Sequence, residues 1–176
     1  MRSSGWPGIR LCVRSARRGS TTTVTARRGP INCGGSRPRS TSLGGSDCRS
    51  WSIHEAEEDT FAILRDRADG VTVVLHCFSA PGRLEECVER GYVCSFAGNV
   101  TYPKATELQA AARDVPAALL MVETDSPYLS PQPVRGKPNE PANVVATAEH
   151  VADLRGVSYA ELEAALERTA TRIFGW

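Results

Sequence analysis

Acidic residues are almost missing from the first 54 positions. That stretch holds ten Arg, no Lys and one acid, Asp47, for a net charge of +9. Residues 55–176 hold nineteen Asp and Glu against eleven Lys and Arg, a net charge of −8, so the overall +1 conceals two opposed regions. The basic stretch is rich in Ser, Gly, Arg and Thr and has almost no long apolar runs. Such a composition cannot bury enough apolar surface to offset chain entropy, so residues 1–54 are expected to be disordered. It also lacks an amphipathic stripe, and Gly and Pro interrupt it, which argues against a transit peptide despite its few acids. Its two aromatic residues, Trp6 and Trp51, do not interleave regularly with its Arg residues, so any nucleic-acid binding there would rest on counterion release without base recognition.

Other absences narrow the chemistry. Of the six Cys, at 12, 33, 48, 77, 87 and 94, no two show a C-x-x-C spacing. A zinc ribbon or a thioredoxin-like motif is therefore unsupported. Cys77 and Cys94 sit in apolar, strand-like runs and read as buried reduced thiols, which fits a cytoplasmic location. No apolar run is long enough to span a bilayer, so no membrane partner is expected.

What remains is an alternation of helix and strand patterns from residue 55 onward. Glu55–Asp66 has helix chemistry, with Phe61, Ile63 and Leu64 on its apolar side. Val71–His76 is a β-branched run of buried-strand character. Pro81–Arg90 reads as a short amphipathic helix stopped by Gly91, and Tyr92–Phe96 as a second strand. Ala105–Arg113 reads as a helix, Leu119–Val122 as a third strand, and residues 126–141 as a long Pro-rich loop. Asn143–Leu154 and Tyr159–Phe174 close the chain as helices, and Ser158 with Glu161 forms a capping box. This order predicts βα units around a parallel sheet.

Two of the strands end in chemistry. Leu75-His76-Cys77-Phe78-Ser79 and Val122-Glu123-Thr124-Asp125-Ser126-Pro127 each follow an apolar run and finish on metal-ligating residue types. A parallel α/β barrel presents catalytic groups in this way, at the carboxyl ends of its strands. Taken alone, His76 also fits a structural histidine, and Asp125 a cap on the following loop. Cys77 has no sequence partner that would make it a nucleophile.

Residues 55–176 resemble the TatD family of metal-dependent deoxyribonucleases. The resemblance rests on Glu55–Leu64, His76-Cys-Phe-Ser79 and Gly98-Asn99-Val-Thr. It continues through Glu123-Thr-Asp-Ser-Pro-Tyr-Leu129, Arg135-Gly-Lys-Pro-Asn-Glu-Pro141 and Arg172-Ile-Phe-Gly175. It implies a TIM-type (β/α)8 barrel, here roughly its second half. It also implies one or two divalent metals that activate water and clamp phosphate oxygens during DNA cleavage. His76 and Asp125 correspond to the family's last two metal ligands, Asp125 also serving as the catalytic carboxylate. Glu123 is implied as a ligand's supporting partner or a pair for a base. Arg135, Lys137 and Glu140 are candidates for holding substrate, with Asn99 and Tyr128 behind them, although a solvated loop explains the same charges. Magnesium, manganese and zinc all suit such ligands. A broader amidohydrolase-like activity is the alternative within this chemistry, and a non-catalytic nucleic-acid-binding remnant with a basic tail the alternative outside it.

The family's other ligands have no counterpart. The chain has three His and no His-x-His, and the Gly-Glu-Thr-Gly-Leu-Asp segment is absent. A shift of reading frame accounts for this. Suppose each true codon takes the last base of one present codon and the first two bases of the next. Residues 11–25 then re-read as Val-Arg-Ala-Ile-Gly-Glu-Thr-Gly-Leu-Asp-Tyr-Tyr-Arg-Asp. Residues 41–55 re-read as Asp-Leu-Ala-Arg-Arg-Leu-Gly-Leu-Pro-Leu-Val-Val-His-Thr-Arg. Both are the missing motifs, in the right order, and His54 becomes incidental. The expectation is an out-of-frame first segment joined to half a barrel, with weak metal binding, little nuclease activity and a tendency to self-associate through exposed edges.

Overall fold

The computed structural model describes residues 9–15, 21–28, 57–68 and 70–175. Among these residues, ten α-helices and strands run in the order β1 (Ile9–Ser15), β2 (Thr21–Arg28), α1 (Glu57–Arg67), β3 (Thr72–Leu75), α2 (Leu84–Glu89), β4 (Val93–Phe96), α3 (Thr106–Asp114), β5 (Leu120–Val122), α4 (Val144–Arg155) and α5 (Tyr159–Phe174). They form an α/β fold on one sheet of order β1-β2-β3-β4-β5. Strands β2 to β5 pair in parallel, with Val74 opposite Val93 and Cys94 opposite Leu120. From residue 57 on, every expected element is present, within a residue or two at each end except at the start of α2.

The expectation of disorder over residues 1–54 needs correction at two places. The backbone of β1 pairs antiparallel with β2, and β2 joins β3. The sequence carries a local reason for this. Ile9, Leu11 and Val13 alternate with Arg10, Cys12 and Arg14, and Thr21–Thr25 is a β-branched run. An antiparallel pair also departs from the all-parallel sheet of a (β/α)8 barrel. The rest of residues 1–54, with His54, lies outside the described residues.

Strand alternation decides which side chains meet which layer. Val73, Leu75, Cys94, Phe96 and Leu120 join Phe61, Leu64, Leu108 and Val151 in the main core, under the helices. Phe78 and Phe96 meet edge to face at 5.5 Å. Each such fully buried large side chain contributes roughly 1.5–3 kcal/mol. On the other face, Val74 and Val93 pack with Met121 and with Ile173 from the last turn of α5.

The helix ends are secured by specific partners. The expected capping box forms at α5, where Glu161 N donates to Ser158 Oγ at 3.3 Å and Ser158 N donates to Glu161 Oε2 at 2.9 Å. Gly91 stops α2 with φ 68°, a left-handed turn that costs Gly little. Arg155 ties α4 to the end of α3 by donating to the carbonyls of Ala112 and Val115, both at 2.8 Å. Those carbonyls have no partners within their own helix, and a cation there also suits the helix dipole.

Candidate metal centre

Three strand ends meet on the face opposite the helix-covered core. His76 stands two residues beyond Val74, Ser95 two beyond Val93, and Glu123 two beyond Met121. The alternation that places those apolar residues on one face places His76, Ser95 and Glu123 there too. Glu123 N donates to Phe96 O at 2.9 Å, so β5 extends its pairing with β4 up to the site. Asp125 follows on the turn that leaves β5.

Both oxygens of Glu123 are engaged by the protein. Its Oε1 accepts from Cys77 N at 2.6 Å, and its Oε2 accepts from Ser95 Oγ at 2.6 Å and lies 2.7 Å from His76 Nδ1. An ionised carboxylate only accepts, so the proton of a neutral His76 must sit on Nδ1. Nε2 then presents a lone pair, and it faces Asp125 Oδ1 at 3.1 Å. A lone pair against a carboxylate oxygen repels unless a positive charge lies between or on them. Either a proton on Nε2 or a cation bound by Nε2 and Asp125 satisfies the geometry. Consistently, the hydrogen bond to Glu123 raises the His76 pKa above its ordinary value, against the opposing effect of burial.

The donor set fits a divalent metal. One atom from each of His76, Glu123 and Asp125 can be chosen so that all lie within 4.8 Å of one another. Two donors about 2.1 Å from one ion and at right angles are about 3 Å apart, close to the observed Nε2–Oδ1 separation. Both Glu123 oxygens already accept hydrogen bonds from the protein, and Oε2 lies against His76 Nδ1, an arrangement that suits support of the His76 ring. Carboxylate-to-imidazole support of this kind fixes the tautomer of a metal-binding histidine and raises its basicity. His76 is 44% exposed and Asp125 25% at the side chain, so an ion can reach them. The Cys77 thiol, in contrast, is pushed up to about 12 by burial and by the nearby charges of Asp125 and Glu123. A thiol so raised is protonated near neutral pH, which does not favour its acting as a nucleophile.

The backbone here is tightly constrained. Cys77, Asp125 and Leu129 all take positive φ, at 49°, 59° and 51°. Side-chain-bearing residues adopt this region at a cost of order 1 kcal/mol each, and such residues gather at functional sites. Gly98 allows the loop after β5 to close over β4. A Cβ there would run into Leu129 O, so no other residue fits without moving backbone. Thr101 and Tyr102 complete the brace. Thr101 Oγ1 accepts from Gln132 N at 2.7 Å, and Tyr102 OH donates to Ser130 O at 3.0 Å.

The other candidates sit on or beside that loop. Arg135 lies over the Tyr102 ring, 3.9 Å from its centroid. Lys137 is exposed, and its carbonyl accepts from Ser130 Oγ at 2.6 Å. Glu140 is exposed, its backbone N donating to Asn139 Oδ1 at 3.0 Å. Tyr128 is 73% exposed. Asn99 stands in the turn after β4, and its Oδ1 is buried without a partner. Sequence reasoning missed Ser95 and Asn139. Both are uncharged and gave no signal of chemistry, although Ser95 interrupts the apolar pattern of Val93–Phe96 and Asn139 lies within the quoted Arg135–Pro141 segment.

Comparison with known proteins identifies the family. A model of the family described as "TatD related DNase" matches residues 48–175. The chain is 44% identical over 125 residues to the uncharacterized metal-dependent hydrolase YcfH of Escherichia coli, covering 68% of this chain and 46% of that protein. It is 34% identical over 122 residues to the uncharacterized metal-dependent hydrolase YabD of Bacillus subtilis, covering 68% of this chain and 48% of that one. The crystal structure of a TatD homologue of Escherichia coli, YjjV, superposes with a TM-score of 0.60 at 28% identity, covering 67% of this chain and 46% of that chain. A hydrolase TatD family protein of Entamoeba histolytica shares the fold, with a TM-score of 0.60 at 18% identity over 68% of this chain and 48% of that chain. The chain spans about half the length of the curated relatives it matches. By a family match covering most of its length, the chain belongs to the TatD related DNase family.

Proposed function

We propose that this chain carries half of a divalent-metal site for hydrolysing DNA phosphodiester bonds, set in part of a (β/α)8 barrel. The observation behind this is the Nε2–Asp125 contact at 3.1 Å, with His76 turned so that the contact requires a positive charge. When bound, a magnesium, manganese or zinc ion supplies Lewis acidity toward water and toward a phosphate oxygen. The residues then have distinct roles. His76 Nε2 and Asp125 would hold the ion, while Glu123 with Ser95 holds the His76 ring. Asp125 would take the proton of a water whose oxygen bonds to phosphorus and pass it to the sugar oxygen that leaves as its P–O bond breaks. Arg135, stacked on Tyr102, and Lys137 offer positive charge to the phosphates, and Glu140 a carboxylate at the loop base.

Two ligands from the protein fall short of the three that a catalytic zinc site normally keeps. The chain as written is therefore expected to bind metal weakly and to cleave DNA slowly or not at all. The test uses purified full chain with end-labelled DNA and RNA, with each of the three ions and with EDTA. Metal-dependent cleavage of DNA that disappears in His76→Ala supports the assignment but overturns the expected impairment. Weak metal binding that needs His76 and Asp125, without cleavage, supports both. Salt-sensitive DNA retention that needs residues 1–54 and no metal supports the binding-remnant reading instead.

We further infer that residues 1–54 derive from an out-of-frame reading of the family's first half, supported by the two motifs that re-reading restores. Sequencing the coding DNA through codon 60 tests this, because a single-base discrepancy that restores the frame would return the missing ligands. A cytoplasmic location is inferred from Cys87 and Cys94, which are buried in the core as free thiols. Among the described residues no helix is long and apolar enough to cross a membrane.

A further inference from the structure

Asn139 closes the loop that carries Asp125. It is 5% exposed and uses its whole side chain. Nδ2 donates to Thr124 O at 2.7 Å and to Tyr128 O at 2.8 Å. Oδ1 accepts from Glu140 N and Asn143 Nδ2, both at 3.0 Å, and the Asn139 backbone N donates to Pro127 O at 3.0 Å. The Thr124 carbonyl belongs to the peptide that enters Asp125, and Tyr128 N donates to Asp125 O at 2.9 Å. The backbone is therefore held on both sides of Asp125, whose φ of 59° is one a side-chain-bearing residue leaves unless it is restrained. Relaxing that φ would swing the carboxylate away from His76 Nε2.

We infer that Asn139 is a positioning residue: by clamping the Thr124 and Tyr128 carbonyls it holds the Asp125 carboxylate against His76 Nε2 and so sets the cation affinity of the site. The inference rests on the metal reading above. It separates from a merely structural role because the clamp has two sides. The Nδ2 donors reach the Asp125 turn, while the Oδ1 acceptor reaches only the start of the segment leading into α4.

Asn139→Asp keeps the acceptor side and removes both donors. It also adds a negative charge, which by Coulomb attraction alone would tighten cation binding. Positioning predicts the reverse. Titration of the full chain with Co²⁺, followed by its visible absorption, should show affinity weakened about tenfold or more and altered band positions. Asn139→Ala, which places no charge among those carbonyls, answers the same question should the Asp variant not fold. Arg155→Ala, which loosens α3 from α4 away from the site, serves as the control. It should lower the Tm yet leave Co²⁺ affinity within about twofold of wild type and the spectrum unchanged. Unchanged affinity and bands in the folded Asn139 variants, or tighter binding in Asn139→Asp, would overturn the inference while leaving the metal reading intact. Failure of the wild-type chain to bind Co²⁺ at all would remove the metal reading and this inference together.

Discussion

Two clusters of charge in this protein use similar residues to opposite ends. On helices α1 and α2 and the residues flanking α2, Arg65 pairs with Glu58 at 2.8 Å and Glu86 at 3.0 Å. Arg83 pairs with Glu57 at 3.1 Å and also with Glu58, and Arg90 reaches Glu86 at 3.4 Å. Three guanidinium groups face three carboxylates, so the cluster neutralises itself. At the carboxyl ends of β3 and β5, two carboxylates face one imidazole, and the imidazole carries charge only when protonated. The first cluster needs nothing from outside. With a neutral imidazole the second carries two uncompensated negative charges, and that imbalance is what supports reading it as a cation site.

The sharpest way to break this comparison is to remove the uncompensated groups. His76→Ala and Asp125→Ala should each abolish measurable Co²⁺ or Mn²⁺ binding, a loss of at least about a hundredfold. At alkaline pH, where His76 is neutral, neither should lower the melting temperature of the metal-free chain much, because both side chains are partly exposed. Calorimetric titration beside thermal unfolding decides it. An equal loss of metal binding on breaking the α1–α2 cluster would show that the two regions are not distinct.

A subtler substitution tests the tautomer. Glu123→Gln preserves shape and can still accept from Cys77 N through its carbonyl oxygen. Its amide nitrogen donates toward His76 Nδ1, which must then act as acceptor and move the ring proton to Nε2. The atom meant for the metal becomes a donor. Metal affinity should fall by about ten- to a hundredfold while the fold is kept. Nitrogen NMR shifts of the His76 ring should show the tautomer exchange directly. Wild-type affinity in this variant would mean that Glu123 does not set the ring.

The same comparison shows what could be read from sequence. His76 and Asp125 were legible because their residue types announce chemistry and because apolar runs place them at strand ends. The elements from α1 to α5 were legible because their periodicities are strong and their stops, such as Gly91, have a mechanism. Ser95 and Asn139 were not, since a hydroxyl or an amide gains its role only from what the fold brings to it. Glu123 was half legible. Its position marked it as part of the site, but its role depends on Ser95 Oγ and Cys77 N, groups 28 and 46 residues away in sequence. The β1–β2 pairing was missed because average composition outweighed a local alternation of only a few residues.

Acidity distinguishes the metal-free site from the loaded one. In EDTA the His76 pKa is raised above its ordinary value near 6.5 by the Glu123 hydrogen bond. The stability gained from a protonated His76 is then fully present below about pH 6.5 and is lost as pH rises through the higher folded-state pKa. In saturating metal the sign reverses, because protons compete with the ion for Nε2 and the stabilisation from binding falls as pH drops. Melting curves with and without metal should therefore diverge toward alkaline pH and converge toward acid. Parallel curves would place the ion elsewhere.

The smallest effect belongs to the self-neutralised cluster. Its guanidinium groups are about a third exposed and Glu58 65% exposed, so solvent and salt screen their attraction. Arg65→Ala should lower the melting temperature slightly at low ionic strength, with the difference closing as salt is added. Metal affinity should not move, because the lost charge was already balanced by Glu58 and Glu86. A large, salt-independent loss of stability would show instead that the Arg65 stem packs against the core and that its worth is apolar rather than ionic. Arg83 offers a check on that distinction, since its guanidinium lies 5.6 Å from the Phe61 ring centroid in addition to its ion pairs. If Arg83→Ala costs more than Arg65→Ala and the excess survives high salt, the excess measures the contact with the ring, and the ion pairs are left as the screened remainder.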